Sequence, residues 1–295
     1  MRAIVLGAAA GGGLPQWNCG CGNCALARSG EIPAASQSSL AASGDGAAWA
    51  ILNASPDIRS QLAAAPALWP RGPRDTPVRS VLLTNGDIDH VAGLLGLREK
   101  QPFTLFATAE ILGVLAANPV FAALDAGLVE RRVVALGAPF DLAPGLRAEL
   151  FPVPGKVPLY LEGETVVTDL EGEQTVGVRL ESGRGAVHYV PGCAAVTPAL
   201  AARLQGAAAV FFDGTLWEDD EMIRAGLGAK TGRRMGHVSM SGPEGSIAAF
   251  ADLGVRRKIF VHMNNSNPVW RPGLERAAAE AAGWEIAFDG MEVTP

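Results

Sequence analysis

Two clusters in the sequence combine residue types and spacings that could hold metal. In Cys19-Gly20-Cys21-Gly22-Asn23-Cys24 three thiols crowd together, and the two glycines let the chain bend so that all three sulfurs share one face of a tight loop. Soft thiolates favour Zn2+, which takes four tetrahedral ligands at structural sites. A redox pair would need no third thiol, and the fourth ligand must come from elsewhere in the chain. The second cluster is Leu83-Thr84-Asn85-Gly86-Asp87-Ile88-Asp89-His90. Asp89 and His90 follow a strand and precede an apolar helix start, so a carboxylate and an imidazole can meet on one ion.

The chain has four histidines, so each can be weighed. His262 ends the apolar run Lys258–Val261. His237, in Met235-Gly236-His237-Val238-Ser239-Met240, reads either as a catalytic group behind the reacting centre or as the cap of a following helix. His188 lies inside a strand, reads as a core or surface residue, and is assigned no role. Asp213 ends the strand Ala208–Phe212; it either orients a histidine or caps the next segment.

The elements that must position these groups alternate along the chain. Strands are expected at Arg2–Gly7, Ser38–Ser43, Trp49–Asn53, Val78–Leu83 and Phe103–Ala107. A helix should open at Ser55-Pro56-Asp57, with Ser55 as N-cap and Pro56 at the first position. Short helices are expected at Ala92–Arg98 and Ala109–Ala116. Arg131–Leu136, Leu146–Pro152, Gln174–Glu181 and Ala186–Val190 read as a second sheet. Thr197–Gln205, Gly242–Leu253 (introduced by Ser241) and Gly273–Ala282 read as helices, and Glu285–Phe288 as the last strand. Asn85–His90, Asp213 and His262 all follow strand C-termini, where α/β folds gather functional groups. With no composition break or short repeat, residues 1–295 read as one domain with two sheets inside and helices outside.

Composition narrows the function. The chain of 295 residues is 48% hydrophobic and 18% charged, with net charge −6, which suits a folded enzyme. No stretch is rich in Lys or Arg, so a nucleic-acid partner gripped through phosphates is not expected. No apolar run reaches the roughly 18–20 residues that span a bilayer, and the first residues lack a signal peptide's apolar core. The expectation is a cytoplasmic protein. Crowded thiols in such a chain point to metal rather than disulfides.

The sequence resembles the metallo-β-lactamase superfamily and, within it, the family of pyrroloquinoline quinone biosynthesis B proteins. The matching stretches are Val5–Cys21, Asn53–Arg59, Asp87–His90, Phe212–Thr215, Met240–Pro243 and His262–Pro268, which span nearly the whole chain. The resemblance implies an αββα sandwich of two mixed sheets. Against the superfamily pattern His-x-His-x-Asp-His, Asn85 and Asp87 replace the first two histidines, while Asp89 and His90 match. His262 stands at the last histidine ligand. A third histidine would fall near Pro154-Gly155 and a bridging aspartate at Gly192. What remains is Asp89, His90 and His262, two histidines and a carboxylate, the set typical of non-haem Fe2+ oxygen chemistry. A two-zinc hydrolase would need the missing ligands.

Related phosphodiesterases share the cysteine loop, and in them a histidine three residues after the last active-site histidine completes the zinc site. Here Asn265 stands at that position, leaving Asn265, water or another group as fourth ligand of Cys19, Cys21 and Cys24. The resemblance implies iron- and O2-dependent hydroxylation of the tyrosine ring of a Glu-Tyr peptide, with Asp87 or His237 managing protons and Asp213 behind them. Its partners would be that peptide or a quinone precursor, and other proteins of the pathway. The competing readings are a carrier moving the quinone or its precursor toward the periplasm, and a residual metallo-hydrolase.

Overall fold

The computed structural model describes residues 1–183 and 185–295. Short runs of Ala, Val, Leu and Ile form the strands β1 (Arg2–Gly7), β2 (Ser39–Ser43), β3 (Trp49–Leu52), β4 (Val78–Leu82), β5 (Phe103–Ala107) and β6 (Val129–Val133). They continue with β7 (Phe140–Ala143), β8 (Leu146–Pro152), β9 (Val176–Ser182), β10 (Gly185–Val190), β11 (Ala209–Asp213), β12 (Arg257–Val261), β13 (Trp284–Ile286) and β14 (Glu292–Val293). Two mixed seven-stranded sheets result, in the orders β14-β1-β2-β3-β4-β5-β6 and β13-β12-β11-β10-β9-β8-β7. β2, β3 and β11 are buried at every position, as strands covered on both faces must be.

The sheets face each other across a core that includes Leu40, Leu52, Leu150, Val178 and Phe211. A separate layer, including Ile4, Ile51, Ile58, Leu94, Leu105 and Ile111, packs the helices Ile58–Ala64 and Ala109–Ala116 on the outer face of the first sheet. Behind the second sheet Phe260 stacks on Trp284 with centroids 3.8 Å apart, and Phe250 lies 5.0 Å from the same ring. This is the αββα arrangement of the metallo-β-lactamase fold. Among the described residues no helix is long and apolar enough to cross a membrane.

Several expected elements differ. Val129–Val133 joins the first sheet, parallel to β5, rather than the second; its side chains after Val129 are exposed, so the strand finishes an edge. The helix after Ser55 begins at Ile58, with Asp57 as N-cap. Ser55 Oγ instead accepts from the Asp57 N–H and donates to Gln61 Oε1. The expected helix Gly242–Leu253 shrinks to Ser246–Ala249, because Gly242 takes a positive φ and Gly245 stands at the cap. Asp89 and His90 lie in a short helix, Ile88–Val91, which a 3-10 turn, Ala92–Leu97, continues. Cys24 lies in another, Gly22–Ser29.

Backbone contacts across the seam align the site. Ala10 N donates to Met263 O (2.8 Å) and Met263 N to Ala8 O (3.0 Å), fastening the loop after β1 to the residue after His262. Val176 N donates to Thr84 O (2.9 Å) beside the Asn85–His90 segment. That segment is clamped from behind: Ala54 N donates to His90 O and Gly93 N to Ala54 O. A Cβ on Gly93 would lie 2.0 Å from the Ser55 carbonyl oxygen. Gly93→Ala is therefore expected to cost about 1–3 kcal/mol by forcing these backbones apart. Urea unfolding measures it, and a variant as stable as the parent would contradict the clamp.

Candidate metal centres

Strand ends supply the groups of the first centre. β4 leads to Asn85 and Asp87, β11 ends at Asp213, and β12 delivers His262, whose φ of 56° is a left-handed conformation rare outside glycine. Asp89 Oδ2 lies 3.1 Å from His262 Nε2 and 4.0 Å from His90 Nε2. The His90 and His262 rings meet edge-on with centroids 5.3 Å apart. Potential ligand atoms of Asp89, His90 and His262 fall within 4.8 Å of one another, as do those of Asp213, His237 and His262.

Each ring is fixed from behind through its Nδ1. His90 Nδ1 lies 2.7 Å from Asn85 Oδ1, an oxygen that also accepts from the Asp87 N–H, so the ring donates and keeps its Nε2 lone pair. His262 Nδ1 reaches Thr215 Oγ1 at 2.9 Å, and that hydroxyl donates to Asp213 Oδ1 at 2.7 Å. His237 Nδ1 contacts Asp213 Oδ2 at 2.6 Å. Asp213 is wholly buried and also accepts from the Cys193 and Thr215 N–H groups, so it is satisfied as an anion. It thus contacts His237 through one oxygen and accepts from the Thr215 turn through the other. His237 follows the helix Gly232–Met235 after the Gly236 C-cap rather than capping a later helix.

One observation tests whether an ion fits. His90 Nε2 is buried with no hydrogen-bond partner among the described residues, and burial drives this imidazole down to about 4, against the pull of Asp89. A neutral ring offering a buried, unpartnered lone pair beside a carboxylate is a ligand set for a divalent cation. Burial alone would raise Asp89; the neighbouring imidazoles of His90 and His262, the latter hydrogen-bonded to it, outweigh that and hold the carboxyl low.

Two of the superfamily's expected ligand positions carry glycine here, Gly155 and Gly192. A Cβ at Gly155 would lie 2.6 Å from Thr175 Cβ, leaving no room for a third histidine. A Cβ at Gly192 would lie 3.7 Å from His237 Cε1, so the His237 ring faces the place of the bridging carboxylate. A cavity of about 460 Å³, with Ala194, Arg233, Val238 and Ser239 in its wall, opens against His237.

At the second centre the sulfurs of Cys19, Cys21 and Cys24 converge. The Asn265 amide sits over them, its Nδ2 3.1, 3.6 and 3.3 Å from the three. Tetrahedral zinc with three thiolates places an oxygen ligand about 3.5 Å from each sulfur. The amide atom therefore stands at the fourth corner, and turning the amide over would put Oδ1 there. Burial pushes the Cys21 thiol up to about 11, so a cation is needed to make thiolates of all three.

Thr215 and Asn85 escaped the sequence reading as supports. Asn85 read as a lost ligand, and Thr215 stood within a matching stretch without an assigned role. His188, assigned no role, is buried, and neither ring nitrogen has a hydrogen-bond partner among the described residues.

Two predictions follow from this geometry. Asn85→Ala should leave the fold intact but free the His90 ring, weakening divalent-metal affinity at this centre about 10–100-fold by competition titration; unchanged affinity would deny Asn85 that role. Burial first, then the charges of Arg179 and Arg203, lowers His188 to about 4. Between pH 6.5 and 4 the unfolded chain thus binds the extra proton, and stability falls as pH falls through that window, by up to about 3 kcal/mol. His188→Phe should flatten that dependence relative to the parent in urea unfolding at pH 7 and 4.5; parallel losses would contradict it.

Comparison with known proteins agrees with this fold. Residues 48–263 match the model of the beta-lactamase superfamily domain. The chain is 60% identical over 294 residues to coenzyme PQQ synthesis protein B of Ruegeria pomeroyi, covering 99% of both, and 58% identical to that of Rhizobium meliloti, covering 99% and 97%. The crystal structure of Zn(2+)-bound PqqB from Methylobacterium extorquens superposes with a TM-score of 0.98 at 53% identity, covering all of both chains. A diphosphatase of the PhnP family, 18% identical and covering 100% and 97%, shares the fold with a TM-score of 0.68. The chain belongs to the coenzyme PQQ synthesis protein B family of the β-lactamase superfamily.

Proposed function

We propose that the chain takes part in pyrroloquinoline quinone synthesis as a metal-dependent enzyme that hydroxylates the tyrosine ring of a Glu-Tyr peptide with O2. The observation that carries this reading is the lone pair of His90 Nε2, buried and without a hydrogen-bond partner among the described residues, beside Asp89 and His262. Two imidazoles and one carboxylate would hold a single Fe2+ ion with coordination positions left open. When bound, that ion supplies the activation of O2.

The remaining work falls to the chain's own residues. Asn85 holds the His90 ring with its Nε2 lone pair free, and Thr215 holds the His262 ring with its Nε2 turned to Asp89. His237, its Nδ1 proton committed to Asp213, has Nε2 available to take the phenol proton of a ring lying in the cavity beside it. Asp87 is a second proton acceptor two residues before Asp89. Cys19, Cys21, Cys24 and Asn265 would hold a structural zinc that fixes the loop after β1. Residues 1–295 act as one cytoplasmic domain in this reading, with the peptide or a quinone precursor as partner and other proteins of the pathway supplying it.

Hydrolysis is the weaker reading, because a two-ion site needs the ligands that Gly155 and Gly192 do not provide. The test is mass spectrometry of Glu-Tyr after exposing anaerobic, iron-loaded protein and reductant to air, with metal content measured in parallel. Addition of oxygen mass to the ring is expected. His90→Ala should abolish it and lose iron while retaining zinc. Unchanged peptide with no O2 consumption would overturn the reading, and tight binding of the quinone without turnover would favour a carrier.

A further inference from the structure

The segment Lys156–Glu162 bridges the two loops that carry the site. On one side Tyr160 Oη donates to Gly86 O (2.7 Å) and Leu159 N donates to Asp87 Oδ1 (3.2 Å), next to the turn bearing Asp89 and His90. On the other side the Lys156 stem lies against Gly236, where an added Cβ would come within 3.3 Å of Lys156 Cγ, and Gly236 immediately precedes His237.

Beyond these anchors Glu162 collects three cations. Lys156 Nζ lies 3.0 Å from Oε1, Arg234 approaches with both terminal nitrogens at 3.2 and 2.9 Å, and Lys230 Nζ stands at 3.7 Å. The side chains of Lys156 and Glu162 are only 10% and 8% exposed. No other carboxylate pairs with these cations among the described residues. Lys156 also feels the charge of Asp87, so three positive groups meet two negative ones, still a local excess of positive charge in a chain whose overall charge is −6.

We infer that Lys156, Lys230 and Arg234 form a carboxylate-recognition site beside His237, with Glu162 as its resident occupant, which an acidic substrate displaces on entry. The planar fork of Arg234 suits any carboxylate, so an incoming one recovers the bonds that Glu162 gives up. The strap is built to yield: Leu159, Tyr160 and Leu161 are largely exposed, so little apolar burial holds it down. Displacing Glu162 would free Leu159–Glu162 to move off Asp87, coupling recognition of the acidic group to opening of the site. The inference rests on the proposed function only for its acidic substrate, since recognition precedes chemistry.

Calorimetric binding to zinc-loaded protein, with no turnover, tests it. The probes are L-glutamyl-L-tyrosine and L-glutaminyl-L-tyrosine amide, which lacks both carboxylates. Glu162→Gln should tighten the acidic peptide about tenfold, and Arg234→Met should weaken it about tenfold. Lys230→Met, a half-exposed position that the fold tolerates, should weaken it in the same direction. The uncharged peptide should bind parent and variants alike. Glu162→Gln protein that melts like the parent but binds the acidic peptide no tighter would overturn the inference, as would equal losses for both peptides in Arg234→Met. Binding shifts without any oxidation would uphold the site and refute the proposed reaction; oxidation without binding shifts would do the reverse.

Discussion

Imidazole rings crowded into a buried cleft can aim lone pairs at one point only if each gives its other nitrogen's proton to a fixed acceptor. Every other feature of the site serves that requirement. Asn85 takes the proton of His90, Thr215 that of His262 and Asp213 that of His237. Asp213 governs two of the three, one directly and one through the Thr215 hydroxyl. Its charge survives burial because two backbone N–H groups and a hydroxyl also satisfy it. Its burial, costly for an unpaired anion, keeps water from competing for the ring protons.

The acceptors are rigid because the sheets are. β11 and β12 run parallel and side by side, so Asp213 and His262 leave the sheet together. The loop after β1 closes over them through its backbone pairing with Met263, and its cysteines stand under the Asn265 amide two residues further on. The two candidate metal centres thus share a single short segment, His262–Asn265. Whatever orders the cysteine loop also steadies the strand end that carries His262.

Against this frame the departures from the superfamily pattern form a set. Thr175 crowds Gly155, where a third histidine is expected, and the His237 ring lies close to Gly192, where a bridging carboxylate is expected. Asn85 exchanges a ligand role for a supporting one. These changes remove donors from one side of the centre while reinforcing the other. In the proposed reading, a site holding one ion with open coordination would suit redox chemistry with a third party better than activation of water between two ions. The strap from Lys156 to Glu162 lies over the reinforced side, between the His90 turn and His237.

Sequence alone determined the fold class, the cysteine cluster and the strand-end placement of Asp89, His90, Asp213 and His262, because apolar periodicity and short ligand spacings are local properties. The resemblance to related phosphodiesterases also named Asn265 as a candidate beside the cysteines, because it stands where their zinc-binding histidine does. Tertiary structure alone decided what stands behind and across from these groups. The sheet membership of Val129–Val133 depends on which edge is free, and the truncation at Ser246–Ala249 depends on glycine conformations that a helical pattern does not reveal. Asn85 turns from a missing ligand into a support only when His90 is seen to donate to it. Thr215, which donates to Asp213, reaches His262 across 47 positions, and Lys156, Glu162 and Arg234 meet from separate loops. Hydrogen bonds and ion pairs between distant residues leave no periodic trace, since their partners are chosen by how the sheets stack.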